Sequence, residues 1–362
     1  MRRNDPLILG GGPAGSAAAI MLARGGAKPL IIERSLETGD ALCGGFISWR
    51  TLATLDRLGF GSEALSGHRI NTLRLFSGRF HASAALPKAA IALSRQRLDS
   101  LLLARAVQLG AGLQRGVAVR EIDNAMNVRL ADSTVLSPES LFLATGKYDV
   151  RGAARPRETT TTLGLRLLLP PHPALTTMIG GTIELHMFDG GYCGAVINER
   201  GEANLCMAVR KSRFVAAGGS AETLLEQVGR DNPVLGERMA FASHVVTEAI
   251  GAIPYGWIAA DTKPGLFRLG DQAAVIPSLA GEGNGIALVS GIRAATAWQS
   301  GGAAQAALFQ RGFARTAKRP VGIAMRLWRL SENQRAAATA TRLIALVPQI
   351  ATHLSRFTRI DS

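Results

Sequence analysis

Two acids, Glu33 and Asp271, each stand at the end of an apolar run beside a glycine-rich turn, and these residue types suit the holding of a dinucleotide. In the first turn Gly10, Gly12 and Gly15 lie between "LIL" and "SAAAIMLAR", a G-x-G-x-x-G spacing. The first glycine allows a tight turn, the second lets backbone approach a pyrophosphate, and the third lets a helix pack close on a strand. Pro13 suits a first helical turn, and with Ala14 it sits where free N–H groups would meet phosphate. Glu33 comes 18 residues after Gly15, where a carboxylate accepts hydrogen bonds from a ribose 2′-hydroxyl. In the second turn Asp271 ends "LFRLGD", and "IPSLAGEGNG" leads into a helix expected from Ile286 to Trp298. Gly281, Gly283, Asn284 and Gly285 then belong to a second helix tip suited to an anion. NAD and FAD both fit the first arrangement. A flavin also uses the second, with Asp271 on the ribityl hydroxyls and the helix tip facing the pyrimidine end of the ring.

Both grips need a strand that ends at the crevice and a helix that starts there. Residues 5–34 read as a βαβ unit: strand "DPLILGG", helix "PAGSAAAIMLARGGA" stopped by Gly25-Gly26, strand "KPLIIERS". Residues 49–60 and 97–111 read as helices, and "VAVREID" and "LSPESLFLATG" as strands. From 161 to 250 the texture predicts an antiparallel sheet, with turns at Gly190-Gly191 and Arg200-Gly201. After Gly291 the chain reads helical to its end.

Composition narrows the class. At 362 residues, 47% hydrophobic and 19% charged, the chain is a folded globular protein with room for two domains. Cys43, Cys193 and Cys206 suit neither a disulfide framework nor a zinc site, and no His/Asp/Glu cluster has metal-ligand spacing, so no metal is expected. The cysteine usage points to a reducing, cytoplasmic compartment. Arg2 and Arg3 ahead of an apolar stretch imitate a signal peptide, but glycines, a proline and Arg24 interrupt it. No 18-residue apolar window suggests a transmembrane helix. The net charge is +14, and ten basic residues from Arg311 to Arg359 alternate with apolar runs. That pattern is either a solvated helical face or a surface resting on anionic lipid or an acidic partner, peripheral to the inner membrane in the lipid case. Nucleic acid is not expected, because aromatics are 5% and not interleaved with the basic residues. Nothing in the pattern specifies an oligomeric state.

Taken together, "LILGGGPAGSAAA", "LFLATG", "IPYG" and "FRLGDQAAVIPSLAGEGNGIALVSG" resemble the FAD-dependent oxidoreductases of the p-hydroxybenzoate hydroxylase superfamily, most closely its geranylgeranyl reductase-like branch. The resemblance spans roughly residues 5–300. It implies an α/β fold, a glutathione-reductase-type FAD-binding Rossmann domain with an inserted antiparallel β-sheet substrate domain and a helical C-terminus. The expected division is 1–75, 92–160 and 251–300 for FAD, 76–91 and 161–250 for substrate, and 301–362 for the C-terminal helices. "ALCGGFIS" resembles the branch's Cys-Gly-Gly segment and would put Cys43, Gly44 and Gly45 beside the flavin. "SRQRLD" resembles a helix start whose Arg95 would reach the FAD phosphates or ribityl chain. The "GYCGAVINERGEANLCMAV" segment maps Asn204 onto the branch's asparagine-bearing strand. The resemblance also assigns Arg34, Val119, Ala144, Thr145 and Gly146 to the cofactor crevice.

One departure bears on the reaction. In "ATGKYDVRG", Thr145 stands where the NADPH-dependent hydroxylases carry aspartate, and Asp149 where they carry serine. The absence of a W-x-W-x-I-P segment argues against halogenation. Beside the flavin itself, Cys43 and Tyr192 are the candidate reacting groups. Cys43 is either a redox partner or a small residue that fits near the ring. Tyr192, Tyr255 and Trp257 are candidate pocket aromatics, while His186 and His244 read as packed histidines. The favoured activity is reduction or dehydrogenation of a hydrophobic molecule (alkene, quinone, isoprenoid or polyketide-like), with NAD(P)H or another reductant as donor. A flavin hydroxylase of phenols and a non-catalytic electron carrier are the alternatives.

Overall fold

A computed structural model describes residues 5–156, 162–242, 247–251 and 253–360. Five parallel strands form one sheet in the spatial order Leu266–Arg268, Leu141–Leu143, Leu7–Leu9, Leu30–Glu33, Gly112–Arg115. Leu7–Leu9 and Leu141–Leu143 are buried throughout, as strands covered on both faces must be. Ile8, Ile31, Phe142 and Phe267 pack on one side with the helices Pro13–Arg24, Arg95–Gln108 and Gly283–Gly301. On the other, Leu7, Leu9 and Leu143 meet a small sheet of Val119–Ile122, Val128–Leu130 and Val135–Leu136.

A second sheet has eight strands, in the order Thr247–Ile250, Thr162–Leu169, Ala203–Arg210, Gly191–Ile197, Thr182–Phe188, His68–Ser77, Phe80–Ala92, Phe46–Ile47. It is antiparallel as expected except at one junction, where Thr182–Phe188 runs parallel to His68–Ser77. The hairpin therefore enters this sheet at His68, earlier than the expected residue 76. Helices Pro173–Ile179, Lys211–Ala216, Ala221–Asp231 and Pro233–Met239 interrupt a stretch read from sequence as sheet alone. Their signal was present: Leu224 and Val228, one helical turn apart, are the buried face of "AETLLEQVGRD". His186 is a packed histidine, stacked on Phe76 and hydrogen-bonded to Glu184 at 3.0 Å; His244 lies outside the described residues.

Two boundaries differ near the second glycine turn. The strand stops at Arg268, and Asp271 lies in the single 3-10 turn Gly270–Gln272, where Gly270 has φ +55° and donates to Ser290 Oγ. The following helix starts at Gly283 rather than Ile286. Beyond it come the helices Ala306–Ser331, Gln334–Leu346 and Gln349–Phe357.

Candidate active site

The two glycine turns meet because their helices cross at small residues. A Cβ on Gly291 would lie 2.3 Å from Ala14 O and 3.1 Å from Ala17 Cβ, so helix Gly283–Gly301 seats directly on helix Pro13–Arg24. Both N-termini consequently open on one cavity, and no side chain caps either. The three glycines of the first turn differ in what they avoid. Gly10 has φ +106° and a Cβ there would sit 2.4 Å from Ala144 O, while a Cβ on Gly15 would sit 2.0 Å from Gly10 O. Above Gly12 the nearest atom is Arg95 Nη2 at 3.6 Å. The protein's own packing requires Gly10 and Gly15; the space over Gly12 is open.

The cavity has a volume of about 1330 Å³, above the roughly 300–1,000 Å³ of an ordinary small-molecule site. Every cofactor-binding residue singled out from the sequence lines it except Gly15 and Gly285, and Tyr192 lines it too. Gly285 lies behind the lining. A Cβ there would strike Glu282 Oε1 at 2.4 Å, so it is a packing glycine at the foot of the helix.

At one end the Glu33 carboxylate accepts from the N–H groups of Gly11 (2.8 Å) and Ser35 (2.9 Å), tying the first turn to the second strand. The Arg34 guanidinium lies 3.6 Å over the ring of Tyr148. In the middle Arg95, at the start of a helix capped by Ser94, makes a two-pronged pair with Asp99 at 2.8 and 2.6 Å. Burial works against the guanidinium's charge and Asp99 more than restores it, so Arg95 stays protonated beside Gly12. Among the described residues no donor hydrogen-bonds the Asp271 carboxylate, which leaves it free for hydroxyls. Arg155, buried, positions that turn by donating to Asp271 O, Lys147 O and Asp149.

At the other end three carbonyls between Asp40 and Cys43 are held by three side chains. Arg166 donates to Asp40 O at 2.7 Å, Lys147 to Leu42 O at 2.7 Å, and Asn204 to Cys43 O at 2.9 Å. Cys43, Gly44 and Gly45 are thus presented to the cavity by two strands of the eight-stranded sheet and by the turn that follows Leu141–Leu143. Gly45 has φ +71°, with Asn204 Nδ2 3.1 Å from where its Cβ would be. Opposite, Asn284 Nδ2 approaches Cys43 Sγ at 3.8 Å. Burial pushes the Cys193 thiol well up and that of Cys206 to about 12, so neither offers a thiolate at neutral pH.

Tyr192 and Tyr255 converge on one hydroxyl, that of Ser278; the Tyr255 bond is 2.6 Å. All three residues line the cavity, whereas Trp257 does not. Burial raises Tyr192 well above an ordinary phenol and Tyr255 to about 12. A raised pKa in the fold contributes stability that is complete below the free phenol value of about 10 and lost above it. Unfolding curves should therefore show stability falling as pH rises from about 10 to 12. A Tyr255→Phe variant that kept the same alkaline loss would contradict this.

Comparison with known proteins agrees with the geometry. Residues 3–134 match the family described as FAD binding domain. The chain is an FAD-dependent oxidoreductase. This flavoenzyme is 28% identical over 324 residues to menaquinone reductase of Mycolicibacterium smegmatis, covering 83% of its own chain and 77% of that one. It is 33% identical over 131 residues to anhydrotetracycline monooxygenase of Streptomyces rimosus, covering 33% and 25% of the two chains. Its fold matches a geranylgeranyl bacteriochlorophyll reductase-like protein from Thermoplasma acidophilum with TM-score 0.67 at 17% identity, over 99% and 93% of the chains. The residues present fit FAD: two uncapped helix tips, the clear space over Gly12 and the unengaged Asp271 carboxylate face one crevice. Arg155, Lys147, Tyr148 and Ser278 were not singled out from the sequence. Each acts across a long separation, such as 116 residues from Arg155 to Asp271, and carries no local motif.

Proposed function

We propose that this flavoenzyme is a reductase of a long, apolar molecule of the quinone or isoprenoid kind. One observation carries the reading: the cavity that begins at the dinucleotide turns continues past Cys43 and Tyr192 along Leu73, Leu185, Met187 and Ile344. A phenol would need no such length of apolar wall. The relative named menaquinone reductase supports the same reading.

FAD, when bound, supplies the redox chemistry at its ring. The chain's part is to bind, orient and exclude water. The Gly10–Ala14 turn with Arg95 holds the pyrophosphate, Glu33 and Asp271 hold the ribose and ribityl hydroxyls, and the Gly283 helix tip faces the pyrimidine end. Segments 1–67, 92–160 and 251–300 chiefly serve the cofactor, and 68–91, 161–250 and the C-terminal helices the substrate. Near the ring, Ser278 links two phenols that stay protonated at neutral pH, so the Tyr192 hydroxyl can present a proton to a substrate oxygen or carbon. Cys43 acts as a small neighbour of the ring or as a second donor. The working position is cytoplasmic and peripheral to a membrane, where such substrates reside, and NAD(P)H is a suitable donor.

The test is anaerobic. Protein with FAD reduced by dithionite is mixed with menaquinone, and flavin absorbance and quinol are followed. Return of the oxidised flavin spectrum with stoichiometric quinol is the expected result. Oxygen-dependent formation of a hydroxylated phenol, with no reoxidation by quinone, would establish the hydroxylase instead. Redox cycling of the flavin with no organic product would leave an electron carrier.

A further inference from the structure

The apolar end of the cavity opens on the surface. Leu330, Leu343 and Ile350 line it and are also exposed, Leu343 by 53%. Residues that are both wall and surface mark a mouth, and these come from helices Ala306–Ser331, Gln334–Leu346 and Gln349–Phe357. The turn between the last two presents Leu346, 80% exposed, and Val347. Apolar side chains gathered at the rim of an apolar cavity mark an interaction site.

The helices that form this rim expose charge of one sign. Arg326, Arg329, Arg335, Arg342 and Arg356 are exposed, and among the described residues none is in an ion pair. Between residues 306 and 357 the sequence holds a single acid, Glu332, which is buried and paired with Arg210 at 2.8 Å. Among the described residues no helix is long and apolar enough to cross a membrane.

We infer that this mouth docks on the anionic surface of a lipid bilayer. The Leu346–Val347 turn enters the acyl boundary and the arginines meet the headgroups, so that an apolar tail passes from lipid into the cavity without crossing water. An acidic protein would satisfy the arginines but not a protruding apolar turn at the opening of an apolar channel. The inference rests on the proposed substrate class for its purpose, though its test reads binding without turnover.

Full-length protein carrying FAD is cosedimented with phosphatidylcholine vesicles with and without phosphatidylglycerol, at low and high salt. The variants are Leu346→Asp/Val347→Asp and Arg326→Ser/Arg329→Ser, all at exposed positions, with circular dichroism to check folding. Wild-type binding to the anionic vesicles, weakened about tenfold or more in each variant and by salt, is the expected result. No wild-type binding, or equal binding by the Asp variant, overturns the inference. Retention on polyglutamate without vesicle binding also overturns it, in favour of an acidic protein. If vesicle binding holds while reduced flavin is not reoxidised by menaquinone, the substrate reading fails and the docking surface stands.

Discussion

Gly12→Ala is expected to give a folded protein that no longer holds FAD. Gly12 has φ −72° and ψ −173°, extended backbone that alanine adopts without strain. Its added Cβ would meet nothing nearer than Arg95 Nη2 at 3.6 Å, an ordinary contact. A pyrophosphate seated there, as proposed, would approach closely enough to collide. Hydrogen bonds from backbone N–H to a charged group are worth about 1.5–3 kcal/mol each. Displacing the phosphates from two of them should weaken FAD binding by about a hundredfold or more. Flavin fluorescence titration measures this, and thermal unfolding of the apoprotein should match wild type. Binding within threefold of wild type would show that the space over Gly12 is not the phosphate site. Gly15→Ala makes the contrast, since its Cβ would lie 2.0 Å from Gly10 O and the fold itself should suffer.

The second large effect concerns the end of the chain. Arg359 reads in the sequence as one of ten basic residues on a helical face, yet it is buried. It donates to Glu282 Oε2 at 2.8 Å and to the carbonyls of Ala280 and Gly281, while Ile360 N–H reaches Glu282 Oε1. Glu282 also accepts from Ser48 and immediately precedes the helix tip at Gly283. Removing one partner of a buried ion pair costs about 3–5 kcal/mol, because the remaining charge is left uncompensated. Arg359→Ala should therefore lower Tm markedly and loosen FAD, whereas the exposed neighbour Arg356→Ala should change neither. Burial already raises Glu282, and losing the arginine raises it further. An acid with a raised pKa in the fold favours folding when protonated, so the variant's deficit should be largest near neutral pH and shrink as pH falls. A deficit that grows on acidification would refute this account of the pair.

These cases show where the fold and site were legible. Gly15 and Glu33 could be read because their partners, Gly10 O and Gly11 N–H, lie within one βαβ unit, whereas the constraint on Gly10 comes from Ala144 and was marked only by the glycine spacing. The eight-stranded sheet was legible in type because alternation is local, but its parallel junction joins residues about a hundred positions apart, such as Thr72 and Thr182. Arg359 shows the same limit from the other side. Its helix pattern predicts solvent, and only the return of the chain to the Glu282 turn buries it. Ser278 opens the single 3-10 turn Ser278–Ala280, too short for any periodicity, and its meaning comes from two tyrosines on separate segments.

The crossing at Gly291 has a further consequence. Because the two helices touch at backbone and alanine, the span between their tips is set by helix radii rather than by adjustable side chains. The crevice is therefore a rigid gauge for length. FMN, lacking the adenylate half, still carries a phosphate and the ring but leaves Glu33 without its ribose, so weaker binding than FAD is the expected result.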